Sequence, residues 1–123
     1  MLFRSSAITG WGTGALEFLS DKDLNFIIIF NEGAPLELQE IAVLHKPAPL
    51  LAELAVGDTV IICDKAFTIT AIGSEAPHTL KELGHCTFSF KGGTEPERPG
   101  CIMLEGEELN PEDIVLGGII EIF

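Results

Sequence analysis

Short runs of apolar, often β-branched residues recur along the chain, and glycine- or proline-rich turns separate them. Runs of this length, with alternating or continuous apolar positions, are typical of β-strands. The pattern predicts strands over residues 2–9, 25–30, 41–45, 59–63, 66–72, 85–90, 101–104 and 118–123. The run 25–30 is so rich in isoleucine and phenylalanine that we expect it to be buried on both faces.

One segment, residues 74–83, has the pattern of a helix. Ser74 suits the N-cap, Pro77 suits the first turn, and Gly84 follows the last helical position. Residues 15–19 favour no more than one further helical turn. Asp64 and Lys65 separate two strands at the spacing of a hairpin, so we expect a tight turn at this pair.

Short strands divided by turns, with one short helix, predict a mainly all-β fold: a small closed or nearly closed β-barrel or sandwich. No internal repeat and no linker divides the sequence, so residues 1–123 are expected to form a single domain. The last predicted strand would be an exposed edge unless it were paired, which favours closure.

The charge balance narrows the classes of partner. Nineteen Asp and Glu residues against seven Lys and Arg give a formal net charge of −12. Nucleic acids and anionic membranes repel such a surface. No apolar run approaches the ~18 residues of a membrane span, and the N-terminus lacks a signal peptide. We therefore expect a cytoplasmic protein without direct membrane insertion. The acidity either steers a basic protein partner or only maintains solubility.

Patterns for metal and cofactor chemistry are missing. Cys63, Cys86 and Cys101 are widely spaced without a Cys-x-x-Cys pair, which favours buried free thiols. The sequence has no His-x-His or His-Glu-x-x-His pair and no phosphate-binding glycine loop. We therefore expect no metal and no cofactor.

His45 is the strongest chemical candidate. It ends an apolar strand, before the break at Pro47, and no Asp or Glu lies between residues 41 and 52. A histidine away from carboxylates can stay neutral near pH 7 and use a ring nitrogen as a nucleophile. We expect His45 at a strand end that opens to solvent. A structural histidine that bonds a backbone carbonyl is the simpler alternative.

His85 is the second candidate. On its strand, alternation places Cys86, Phe88 and Phe90 in the core, and His85, Thr87 and Ser89 on a polar face. An imidazole nucleophile such as His45 can take up a phosphoryl group and pass it on. His85 or Thr87 could then donate a hydrogen bond to the phosphoryl oxygens. His78 lies in the predicted helix and is expected to be a surface residue.

Several segments together point to a family. They are residues 30–35 (Phe-Asn-Glu-Gly-Ala-Pro), 38–40, 43–45 (Val-Leu-His), 68–74, 80–85 (Leu-Lys-Glu-Leu-Gly-His) and 99–123. In these segments the chain resembles the glucitol/sorbitol-specific IIA component of the bacterial phosphoenolpyruvate-dependent sugar phosphotransferase system. The similarity covers nearly the whole chain.

The resemblance implies a histidine phosphocarrier, a transferase subunit in sugar transport. Such a subunit accepts a phosphoryl group from the small phosphocarrier HPr and donates it to a sugar-specific IIB unit, which serves the membrane IIC unit. The phosphorylated histidine of the family falls on His45, and its Gly-His pair falls on Gly84 and His85. A IIA unit does not touch sugar, so the polyol cannot be read from it.

Two other functions stay open at this point. The chain could be a small barrel that binds a ligand or partner without covalent chemistry, or a metal-dependent barrel enzyme of the cupin type. For the phosphocarrier we expect a docking face formed by Leu44, Leu50 and Leu51. Carboxylates that include Glu40 and Glu53 would surround it.

Overall fold

The computed structural model describes residues 2–123, which form a closed barrel of eight strands. The strands are β1 (Arg4–Trp11), β2 (Phe26–Asn31), β3 (Val43–His45), β4 (Thr59–Ile62), β5 (Lys65–Ile72), β6 (Cys86–Ser89), β7 (Cys101–Gly106) and β8 (Ile119–Ile122). Their order around the barrel is β1-β3-β2-β6-β7-β5-β4-β8. The last strand pairs with both β1 and β4. The predicted mainly-β barrel is confirmed.

Two of the eight strand pairs are parallel. β2 pairs with β3, and β6 pairs with β7, in the same direction, while the other neighbours are antiparallel. A parallel pair needs a crossover rather than a tight hairpin. One consequence matters for function: Asn31, at the end of β2, lies directly beside His45, at the end of β3.

Within residues 2–123 the barrel carries three short α-helices, of which the first matches the helical turn expected over residues 15–19 and the second was not predicted. They are α1 (Glu17–Ser20), α2 (Leu36–Gln39) and α3 (Ala76–Leu83), and a 3-10 turn covers Pro111–Asp113. α3 is the predicted helix, but its N-cap is Glu75, so the expected Ser74 cap is wrong. Pro77 stands in the first turn as predicted. Gly84 ends the helix in the left-handed conformation, at φ 62°, which costs glycine little.

The hairpin between β4 and β5 turns one residue earlier than predicted. Ile62 pairs with Lys65, so Cys63 and Asp64 form the turn, and both have positive φ, 48° and 73°. Two consecutive positive φ values define the turn that matches the twist of a hairpin. The cross-strand register therefore decided the position of the turn.

Alternation along the strands fills the barrel with isoleucine, leucine, valine and phenylalanine side chains. On β2, Ile27 and Ile29 have no exposed area, whereas Ile28 is half-buried on the outer face against a smaller cluster around Phe30. The expectation of burial on both faces of β2 therefore holds only in part. Ser89 is fully buried and donates a hydrogen bond to Glu97, so the polar face predicted for β6 is partly covered.

Candidate functional site

His45 ends β3, between Ile8 of β1 and Asn31 of β2. The strand-end position is as predicted. The expected opening to solvent is wrong, because the side chain has 0% exposed area. The chain folds back over the imidazole, and backbone groups at Lys46 and Gly84 contact it.

Both ring nitrogens of His45 face carbonyl oxygens. Nδ1 lies 2.9 Å from the oxygen of Lys46, and Nε2 lies 2.7 Å from that of Gly84. Burial lowers the pKa of His45, and the nearby cation of Arg4 adds to this, although the two carbonyls oppose it. The imidazole is therefore neutral near pH 7, with a single N–H. One nitrogen donates to a carbonyl, and the other turns its lone pair toward an oxygen that cannot donate to it.

That lone pair is the chemically useful feature of the site. A nitrogen whose lone pair accepts a strong hydrogen bond is a weaker nucleophile, because the bond must break before reaction. In His45 the carbonyls hold the ring in place without engaging the second lone pair, and the nearby donor Arg4 Nη2, 3.5 Å from Nδ1, lies at the outer limit of a hydrogen bond. The arrangement suits attack on an electrophile once one carbonyl moves aside.

Arg4 is a member of the site that the sequence reasoning missed. Its side chain is 2% exposed, Nη1 donates to Ser6 Oγ at 2.9 Å, and Nη2 lies 3.5 Å from His45 Nδ1. Burial lowers the pKa of the guanidinium, which nevertheless stays protonated in proteins. A signal was present, because Arg4 and Ser6 share the inward face of β1 with Ile8.

Gly84 allows the chain to approach His45 closely. A methyl group at this position would overlap Asn31 Oδ1 and would lie 2.7 Å from His45 Cε1. Asn31 Oδ1 is itself buried and has no hydrogen-bond partner within the described residues. Of the predicted Gly84-His85 pair, it is thus the glycine that lies directly against the His45 ring.

His85 follows directly after Gly84, whose carbonyl contacts His45. Its Nδ1 donates to the carbonyl of Ile29 at 3.1 Å, and its ring packs on Phe30 with centroids 4.8 Å apart. In the neutral ring this bond places the lone pair on Nε2. The side chain is half-buried.

Thr87 and His78 lie elsewhere. Thr87 is opposite Ile28 on β2, three residues from the Asn31 position that pairs with His45. It lines a separate groove, together with Phe26 and Cys101. His78 lies on α3, is exposed and lines a surface groove, as its predicted surface position requires.

The predicted docking face is divided between two grooves. Leu50 and Leu51 line one groove with Glu53 and the α3 residues Pro77 and His78. Leu44 lines another, which also contains Trp11, Leu36 and Glu40. The expected docking face therefore spans two grooves, and each groove carries one of the two carboxylates.

Comparison with known proteins decides the family. Residues 3–121 match the sequence model of the family described as the PTS system glucitol/sorbitol-specific IIA component. The chain belongs to this family. Glucitol/sorbitol-specific IIA components of Escherichia coli K12 and Shigella flexneri are each 35% identical to it over 116 residues, which is 94% of this chain and 90% of theirs.

A solved structure has a similar fold. The crystal structure of a PTS system IIA component from Enterococcus faecalis V583 is similar with a TM-score of 0.75 and 28% identity, over 94% of this chain and 96% of that one. The IIA family assignment makes this chain a subunit of the phosphotransferase system for sugar transport. Within residues 2–123, the structure contains no helix that is both long and apolar enough to span a membrane.

Proposed function

We propose that the chain is a phosphocarrier that accepts a phosphoryl group from HPr on His45. It then donates this group to a sugar-specific IIB unit, which serves the membrane IIC unit in polyol uptake. The observation that carries the proposal is the neutral His45 ring, which two carbonyls hold in place and whose second lone pair meets no donor within residues 2–123 closer than Arg4 Nη2, 3.5 Å from Nδ1. Membership of the IIA family supports the direction of transfer.

The reaction requires little beyond alignment. The His45 lone pair forms the new N–P bond while the N–P bond of the HPr phosphohistidine breaks, and that electron pair stays on the donor imidazole. Phosphoryl transfer of this kind depends on positioning and on charge stabilisation. Because His45 has no exposed area, the surrounding backbone must open locally before the donor can reach it.

Phosphorylation of the purified chain tests the proposal most directly. We expect incubation with phosphoenolpyruvate, enzyme I and HPr to give one acid-labile phosphoryl adduct by intact-mass analysis, and omission of HPr to prevent it. Subsequent addition of the IIB unit should remove the adduct. A chain that acquires no phosphoryl group would instead be a binding barrel. Metal that co-purifies stoichiometrically would favour the cupin-type alternative.

His85 is proposed to assist His45. It adjoins the carbonyl that contacts His45, and because its Nδ1 donates to the carbonyl of Ile29, Nε2 is the ring nitrogen left for an assisting contact. Thr87 stays the weakest member of the predicted site, because it lines a separate groove. We expect His85→Ala to accept a phosphoryl group slowly, with onward transfer to IIB reduced about 10-fold or more. Rapid-quench transfer assays measure this, with Thr87→Ala and His78→Ala for comparison. Unchanged transfer in His85→Ala would contradict the assisting role.

The acidic surface is proposed to govern the encounter with HPr. With a net charge of −12, exposed carboxylates should accelerate association with a basic partner, and salt should screen them over ~8 Å near physiological ionic strength. We therefore expect the rate of phosphoryl acceptance, at low HPr concentration, to fall as salt rises. A salt-independent rate would mean that acidity serves solubility alone.

The two grooves allow the docking face to be located. Glu53→Lys tests the groove of Leu50, and Glu40→Lys tests that of Leu44. The charge reversal that weakens the salt dependence of phosphoryl acceptance more identifies the groove nearer to HPr. If Glu53→Lys has the larger effect, Leu50→Asp should weaken the binding of HPr itself. Leu24→Asp, at the other end of β2 from His45, is the control.

A further inference from the structure

Arg4 is a buried cation without an anion. The side chain is 2% exposed, and no carboxylate in residues 2–123 lies within ion-pair distance of it. Removing a charge from water without a counter-ion is unfavourable. The guanidinium nevertheless lies inside the barrel, 3.5 Å from a ring nitrogen of His45.

The other groups around Arg4 supply no negative charge. Ser6 contributes a hydroxyl, and His45 is neutral near pH 7 because burial lowers its pKa. The electrostatic influence of Arg4 reaches the thiol of Cys86, but burial raises the pKa of that thiol well above its usual range. The thiol is therefore uncharged. The charge of Glu32 acts on His45, but within the described residues Glu32 forms no ion pair with Arg4, so the guanidinium has no direct counter-ion in the unphosphorylated protein.

The unsatisfied polar atoms point to the same place. Throughout the described chain, two buried side-chain atoms lack a hydrogen-bond partner: Arg4 Nε and Asn31 Oδ1. Arg4 contacts His45, and Asn31 pairs with it across β2 and β3. Such atoms are rare in native structures, and each calls for an explanation, such as a catalytic role or the binding of an ion. Both border the residue proposed to carry the phosphoryl group.

We propose that Arg4 is the counter-ion of the phosphoryl group on His45. The inference rests on the proposed function, since it needs a phosphorylated His45. A phosphoryl group on either nitrogen of this ring brings a dianion into the range of the guanidinium. Nη2 and the unpaired Nε have N–H groups to donate, and charge-assisted bonds of Arg to phosphoryl oxygens are strong. Ser6 holds the guanidinium in orientation through Nη1.

The pairing has a thermodynamic consequence. Phosphorylation converts an unpaired buried cation into an ion pair, so the phosphorylated protein should be the more stable form. The same interaction should favour transfer of the phosphoryl group from HPr to this chain. Arg4 thus contributes to the direction of transfer as well as to binding.

Arg4→Met tests the proposal, because methionine fills similar space without charge. Each protein is mixed with phospho-HPr, the phosphoryl partition at equilibrium is measured by intact mass, and thermal unfolding is followed in both forms. We expect Arg4→Met to shift the partition toward HPr by about 10-fold or more. Phosphorylation should raise the Tm of the wild type and lower that of Arg4→Met. Arg98→Met, at the exposed second arginine of the chain, should behave as the wild type.

Equal partition in Arg4→Met and wild type, or a Tm shift of the same sign in both, would overturn the proposal. If Arg4→Met does not fold, Arg4→Lys decides, because it keeps a cation. Phosphorylation should still raise its Tm, and a fall would refute the counter-ion role. These outcomes differ from failure of the proposed function, in which the wild type itself acquires no phosphoryl group on His45.

Discussion

Replacing His45 with glutamine should abolish phosphoryl acceptance from HPr. No other side chain reaches the position of its ring nitrogens, and an amide is not a nucleophile toward phosphorus. Glutamine keeps an N–H that can donate to one of the two carbonyls. His45→Ala should lose the same activity and also stability, because the one carbonyl that loses its N–H donor costs ~1–3 kcal/mol. Intact-mass analysis after incubation with phosphoenolpyruvate, enzyme I and HPr measures the loss.

The control for this experiment is His78→Gln. His78 lies on α3 and lines the groove of Leu50, so its replacement could at most slow the docking of HPr and should leave folding and the final amount of adduct on His45 unchanged. Circular dichroism and a thermal melt show whether each variant is folded. An adduct that persists in folded His45→Gln, or one that survives acid, would place the phosphoryl group on another residue.

Gly84→Ala should damage the site almost as severely without removing any functional group. Two effects add. A non-glycine residue in the left-handed region costs ~1–2 kcal/mol, and the new methyl group would overlap Asn31 and lie 2.7 Å from His45 Cε1. Because the contacts are with residues of the site, we expect slower phosphoryl acceptance as well as lower stability. Denaturant unfolding and the initial rate of phosphorylation are the two measurements.

Gly93→Ala separates the two effects. Gly93 also has positive φ, 89°, but a methyl group there would meet nothing within 4 Å. Its replacement should lower the free energy of unfolding by the backbone cost alone and leave phosphorylation unchanged. Equal destabilisation by the two substitutions, with normal phosphorylation in both, would show that the site relaxes around the added methyl group.

The elements of the barrel were largely predictable because their signals are local. Alternation and β-branched residues placed all eight strands within a few residues, and Gly84 marked the end of α3. Local sequence patterns predicted turns and caps less accurately, because adjacent residues compete for the same position. The hairpin turn moved to Cys63 and Asp64 because its position follows from cross-strand pairing, and the side chain of Ser74 was not used as a cap.

The site was predictable only in part. The proline break placed His45 at the end of a strand, and the resemblance to IIA proteins singled it out. Its burial was not predictable, because the covering carbonyl belongs to Gly84, 39 residues away. In the local sequence nothing distinguishes Arg4 from an ordinary charged residue near a terminus. Only the closure of β1 onto β3 brings it to His45, across 41 residues.

The sequence by itself determined the strands and the IIA family, and it singled out His45 as the candidate phosphoryl acceptor. Short-range patterns suffice for the strands, because the alternation of side chains repeats within a few residues. The tertiary structure alone decided the strand order, the parallel pairing that sets Asn31 beside His45, and the isolation of Arg4 from any carboxylate of the described chain. Those features depend on contacts between distant segments, whose pairing is selected by the closed barrel as a whole.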